Sequence, residues 1–89
     1  METVHLLIKG KVQGVFFRAT AKKNAEKYKI KGWIRNTKDK NVEAMITGEL
    51  GMLEQFIEWC KKGPDEAKVE EVAILKQPEK EFRNFEIIR

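Results

Sequence analysis

The chain contains no serine, one cysteine (Cys60) and one histidine (His5). Ser/His and Cys/His nucleophile systems therefore have no parts, because Cys60 falls on an apolar helical stripe and His5 lies inside an extended run. A lone cysteine forms neither an internal disulfide nor a cysteine-based metal cluster, and it suits an intracellular setting. Its ordinary role is that of a small apolar core residue. His5 reads as a structural or exposed strand residue. No His, Cys, Asp and Glu set has ligand spacing, and Glu70-Glu71 and Glu79/Glu81 read as solvated charges, so no metal is expected. No run approaches the roughly 20 apolar residues of a membrane span, and the N-terminus has no signal-peptide pattern. What survives is a mechanism without metal or protein nucleophile.

At 89 residues the chain reads as one domain, 1–89, that can bury only about 60–65% of the surface its unfolded form exposes. Its core must therefore draw on every element. The formal net charge of +4 suits an anionic substrate or a nucleic acid, and does not choose between them. Lys22, Lys23, Lys27, Lys29 and Lys31 are interleaved with Glu26 and apolar positions rather than with aromatics, the pattern of a solvated helix face. No nucleic-acid partner is expected.

Hydrophobic periodicity orders the chain. Thr3 to Lys9 alternates as a strand, with Val4, Leu6 and Ile8 on one face. Phe17, Ala21, Ala25 and Tyr28 recur at helical spacing. Ile30 to Asn36 and Val42 to Gly48 form a hairpin around turn residues Thr37 to Asn41. Leu50, Leu53, Phe56, Ile57 and Cys60 mark a second amphipathic helix, which Gly63-Pro64 closes. Ala67 to Gln77 is extended, and Phe85 to Ile88 adds a short final strand. The order β-α-β-β-α-β predicts an α+β, ferredoxin-like sandwich with two helices on one face of an antiparallel sheet of four to five strands. Trp33 and Trp59 read as packing residues.

Between the first strand and the first helix lies Gly10-Lys11-Val12-Gln13-Gly14-Val15-Phe16-Phe17-Arg18. Two glycines free to take positive φ let the backbone curl and aim successive N–H groups at one point, which a helix starting near Val15 or Phe16 would also face. Arg18 in the first turn adds a planar fork for phosphate oxygens. A cation there is locally unfavourable by roughly 0.3–1 kcal/mol unless an anion sits between it and the helix end. The same residues also suit a plain strand-to-helix turn with glycine present only for geometry. The stretch matches neither the P-loop nor the dinucleotide fingerprint, so a nucleoside triphosphate is not the expected ligand. Asn36, at the end of the second strand, can donate and accept hydrogen bonds beside this loop; it is equally placed to serve its own turn.

These segments together resemble the acylphosphatase family over essentially the whole chain. Gly10-x-Val12-Gln13-Gly14-Val15-x-Phe17-Arg18 is similar to the family's first signature. Gly32-Trp33-Ile34-Arg35-Asn36-x-x-Asp39, followed by Val42-Glu43 and Gly48, resembles the second, and Gly63-Pro64-x-x-Ala67-x-Val69-x-x-Val72 a later landmark. The resemblance implies metal-independent, cofactor-free hydrolysis of the carboxyl-phosphate bond of small acylphosphates, giving a carboxylate and inorganic phosphate. It implies that Arg18 and the N–H groups of Gln13, Gly14, Val15, Phe16, Phe17 and Arg18 bind phosphate, that Asn36 positions the attacking water, and that a substrate phosphate oxygen takes the water's proton. A monomer in the cytoplasm, with no membrane partner, is expected.

Two positions depart from the family pattern. The hairpin turns on Asp39-Lys40-Asn41 instead of Asp-Gly, which requires Lys40 or Asn41 at positive φ. Arg89 stands one residue short of the aromatic that often closes the family's last strand. A rival reading is a noncatalytic binding module of the same fold, such as an RNA-recognition domain, but that class stacks bases on aromatics of its two central strands. Val4-His5-Leu6-Leu7-Ile8 and Val42-Glu43-Ala44-Met45-Ile46 carry none. A related domain that binds phosphate without turnover inside a larger assembly is a further reading.

Overall fold

A computed structural model describes residues 1–89. The elements are β1 (Glu2–Lys11), α1 (Phe17–Lys27), β2 (Lys31–Asn36), β3 (Val42–Gly48), α2 (Leu50–Lys62), β4 (Lys68–Gln77) and β5 (Phe85–Ile87). They build one five-stranded sheet in the order β4-β1-β3-β2-β5, the expected α+β, ferredoxin-like arrangement. No helix is long and apolar enough to cross a membrane.

Alternation decides which face of the sheet the helices cover. Leu6 and Ile8 of β1, Ile34 of β2, and Val42, Ala44 and Ile46 of β3 are all fully buried. They meet Phe17, Ala21 and Ala25 of α1 and Leu53, Phe56 and Cys60 of α2 in a single apolar cluster. Trp59 is partly buried beside them, its ring centre 5.1 Å from that of Phe17 and 6.1 Å from that of Phe56, and Phe56 meets Phe85 edge-on at 6.2 Å. This aromatic chain ties α1 through α2 to β5, and each fully buried Phe contributes roughly 1.5–3 kcal/mol. Burial pushes the Cys60 thiol far above its ordinary pKa, the state of an inert core residue.

The opposite face carries polar groups. His5 Nε2 lies 2.6 Å from Glu43 Oε2, and Arg35 Nε donates to Glu43 Oε1 at 2.7 Å. The hydrogen bond to His5 is the largest influence on the Glu43 carboxyl; burial opposes it, and with the hydrogen bond and charge of Arg35 the net effect holds the carboxyl below its ordinary value. Arg35 also lies over the Trp33 ring at 5.4 Å.

Two features differ from the sequence expectation. The sheet is mixed, because β5 pairs parallel with β2 in the register Gly32↔Phe85, Trp33↔Glu86 and Ile34↔Ile87, while all other pairings are antiparallel. The segment after β4 crosses to the far edge of the sheet, and a strand arriving there can run either way. Gly10 does not belong to the loop: it lies in β1 at a bulge against β4, with φ 125°, where an added Cβ would meet Lys68 O at 2.2 Å. Its lack of a side chain admits a neighbouring backbone, not an anion.

The topology gathers three chain segments at one edge. β1 and β2 both run antiparallel to β3, so they point the same way, and β5 runs parallel to β2. The loop after β1, the last residue of β2 and the end of β5 therefore emerge together, and α1 begins there.

Candidate active site

The loop Val12–Phe16 is held by alternation. Val12, Val15 and Phe17 are 1%, 4% and 2% exposed, and their side chains sink into the core. Gly14 and Phe16 between them are left exposed, and Gln13 and Arg18 half-buried. Gly14 takes φ 73°, and space for a side chain is open, so glycine serves conformation there. Phe16, the N-cap of α1, is also left-handed at φ 63° and ψ 23°. A non-glycine residue in that region costs about 1–2 kcal/mol. Burial of the three anchors, each contributing roughly 1.5–3 kcal/mol, outweighs that cost and fixes the curl.

The curl leaves donors unspent. None of the backbone N–H groups of Gln13, Gly14, Val15 and Phe16 donates to a backbone carbonyl, and the first bond into α1 is Thr20 N to Phe16 O at 3.1 Å. The helix begins without a side-chain cap and without an acidic residue in its first turn. Arg18, half-buried, takes part in no ion pair of the molecule. Unpaired N–H groups, the positive end of a helix dipole and a free guanidinium thus share one place.

A cavity of about 500 Å³ opens there, lined on one side by Gly14, Phe16, Phe17 and Arg18. Asn36 lines it from the end of β2, and Ile87 and Arg89 from the end of β5. The structure thus brings Arg18 and Asn36 to one cavity across a separation of 18 residues. The Asn36 Oδ1 atom is buried without a hydrogen-bond partner, a situation that ordinarily costs about 1–3 kcal/mol. An Asn serving its own turn would have that atom satisfied.

Two expected site residues do not enter with their side chains. Val15 is in the core, so only its backbone N–H is on offer. Gln13 turns its amide to the hairpin, where Nε2 donates to Thr37 O at 3.0 Å and to Asn41 O at 2.8 Å. The hairpin turn is closed by Thr37 N to Asn41 O at 2.9 Å and by Thr37 Oγ1, which accepts from Asn41 N and donates to Asp39. The bond to Thr37 holds the exposed Asp39 carboxyl below its ordinary value. Lys40 takes the positive φ, 70°, that the missing glycine would have supplied. Gln13 thereby ties the loop after β1 to the turn that follows Asn36. Sequence reasoning missed this clamp, along with Ile87 and Arg89 in the lining; the contacts span 24 and 28 residues, and the lining depends on the parallel pairing of β5.

The family model described as Acylphosphatase matches residues 4–87. The chain is 48% identical to an acylphosphatase of Pyrobaculum islandicum, over 99% of this chain and 97% of the other. It is 42% identical to one of a Roseiflexus species, over 99% and 96%. The crystal structure of acylphosphatase from Bacillus subtilis superposes with a TM-score of 0.96 at 31% identity, and the match covers 100% of both chains.

Proposed function

The chain belongs to the acylphosphatase family, whose members hydrolyse acylphosphates, and from that premise we propose how its own residues carry the reaction: Arg18 and the N–H groups of Gln13 to Arg18 bind the phosphate, and Asn36 orients the water. The observation that carries this reading is the buried, unpartnered Asn36 Oδ1 in the cavity that Arg18 lines. A carbonyl oxygen so placed accepts a hydrogen bond from water and aims its lone pair.

The chemistry suits so small a site. An acylphosphate is a mixed anhydride whose carboxylate departs as a weak base, so no general acid is required. Phosphoryl transfer through a loose transition state needs the reactants in line and the charge on the equatorial oxygens stabilised. Fixed N–H donors and a bidentate guanidinium meet the second need, Asn36 the first. No Asp, Glu or His side chain lines the cavity to take the water's proton, and a phosphate oxygen of the substrate is the base in this reading. The products are a carboxylate and inorganic phosphate.

The reading extends to a monomer of one domain, 1–89, in the cytoplasm, acting without metal, cofactor or nucleic acid. The free thiol of Cys60 suits a reducing compartment. The test is release of inorganic phosphate from benzoyl phosphate and acetyl phosphate, with EDTA present, by wild type, Arg18→Ala and Asn36→Ala. Activity should persist in EDTA. Arg18→Ala should lose phosphate affinity and turnover together, and Asn36→Ala mainly kcat. Undiminished kcat in Asn36→Ala would remove its assigned role.

A further inference from the structure

Phe16 is the residue the fold needs least. Its side chain is 75% exposed, more than any other large apolar one in the molecule, and its backbone is held left-handed. It adds nothing to the core that Val15 and Phe17 on either side build. A glycine or asparagine would take the same φ and ψ at less cost. The ring stands at the cavity that Arg18 and Asn36 line, and Ile87, another exposed large apolar side chain, stands at the same cavity from β5.

We infer that Phe16 and Ile87 form a platform for the acyl portion of the substrate, so that the enzyme favours acylphosphates of apolar, above all aromatic, carboxylic acids. The inference rests on the phosphate site proposed above. With phosphate at the loop N–H groups and Arg18, the acyl group must lie against whatever apolar lining is still accessible. Val12 and Phe17 are 1% and 2% exposed, already spent on the core. Phe16 and Ile87 remain, with only the single methyl group of Ala19 beside them, and an aromatic acyl group gains from an offset or edge-on contact with the Phe16 ring as well as from removal of apolar area from water. Arg89 at the same cavity is the group that would favour an acyl chain bearing a second carboxylate, which makes such a substrate the informative competitor.

The test compares ratios. For benzoyl, acetyl and 3-carboxypropanoyl phosphate, kcat/KM divided by the rate of uncatalysed hydrolysis should favour the benzoyl compound by about tenfold or more in wild type. The benzoyl-to-acetyl ratio should fall about tenfold in Phe16→Gly, a variant that keeps the left-handed turn, and a few-fold in Ile87→Ala. Calorimetry gives the same comparison without turnover: phenylphosphonate should bind about tenfold more tightly than methylphosphonate, and Phe16→Gly should abolish the difference. A ratio unchanged in Phe16→Gly, or a preference for the carboxylated substrate, overturns the platform. The phosphate site is tested separately by inorganic phosphate binding to Arg18→Ala: unchanged affinity there overturns the site, whereas lost affinity with an unaltered phenyl-to-methyl ratio in Phe16→Gly overturns the platform alone.

Discussion

The two helices pack on the same face of the sheet, and neither has a side-chain cap, but they begin in opposite ways. α2 starts from Glu49 in extended conformation, with φ −70° and ψ 144°, and its first bond runs from Leu53 N to Glu49 O at 2.9 Å. An acidic residue stands at the positive end of the dipole, the favourable sign. α1 starts from the left-handed Phe16, and the residue two places on is Arg18, the unfavourable sign. The equivalent place in α2 holds Gly51, with open space around it. The start of α2 carries a complementary charge from its own chain, whereas that of α1 carries none.

The comparison can be broken or sharpened by experiment. The largest effect expected is that of Arg18→Ala, a drop in kcat/KM of about 10²–10³-fold by analogy with removal of an oxyanion donor. The same variant should lose most of the thermal stabilisation by added phosphate, about 2.7 kcal/mol at a hundred times Kd for an intact site. If phosphate stabilises Arg18→Ala as well as wild type, the start of α1 does not call for an anion. Next in size, Gly51→Ala should raise stability in denaturant titration with unaltered activity, by at most about 0.8–1 kcal/mol, the cost of glycine in a helix interior. Gly51→Arg puts a cation at the same position in α2 as Arg18 holds in α1; it should be less stable than Gly51→Ala by about 0.3–1 kcal/mol at low salt, the gap closing as salt rises.

The smallest effect lies away from both helix starts, on the open face. Glu43 has a lowered pKa in the folded state, so its contribution to stability is present above its ordinary value of 4.5 and is lost as pH falls through the folded value. Chemical denaturation should show stability declining below pH 4.5, and Glu43→Gln should flatten that decline. The activity profile should show no protein-base limb near neutral pH. A limb there that disappears on mutation of one carboxylate would contradict the substrate-oxygen base.

The order of elements could be read from the chain because two periods, near two and near 3.6, mark which residues bury together, and the buried residues Leu6, Ile8, Ala21, Ala25, Leu53 and Phe56 obey them. That Arg18 and Asn36 meet at one cavity could be read because a cation in a first turn and an amide at a strand end are chemically conspicuous. The direction of β5 could not, since three residues carry too little pattern to fix a partner. Nor could the left-handed Phe16: the need for positive φ in the loop was visible in its glycines, but phenylalanine gives no sign of accepting it. The same reasoning places Gly10 in the loop, and only the approach of β4 shows what it is for.

The alternation along residues 12 to 18 has a consequence for how this stretch can change. Val12, Val15 and Phe17 answer to the interior, while Gly14, Phe16 and Arg18 answer to whatever occupies the cavity. Substitutions at the first set would register in melting curves, and those at Phe16 and Arg18 in rate constants. The two sets share one backbone, so neither can drift far alone: an insertion of a single residue would break the spacing of the anchors and shift the cavity-lining residues with them.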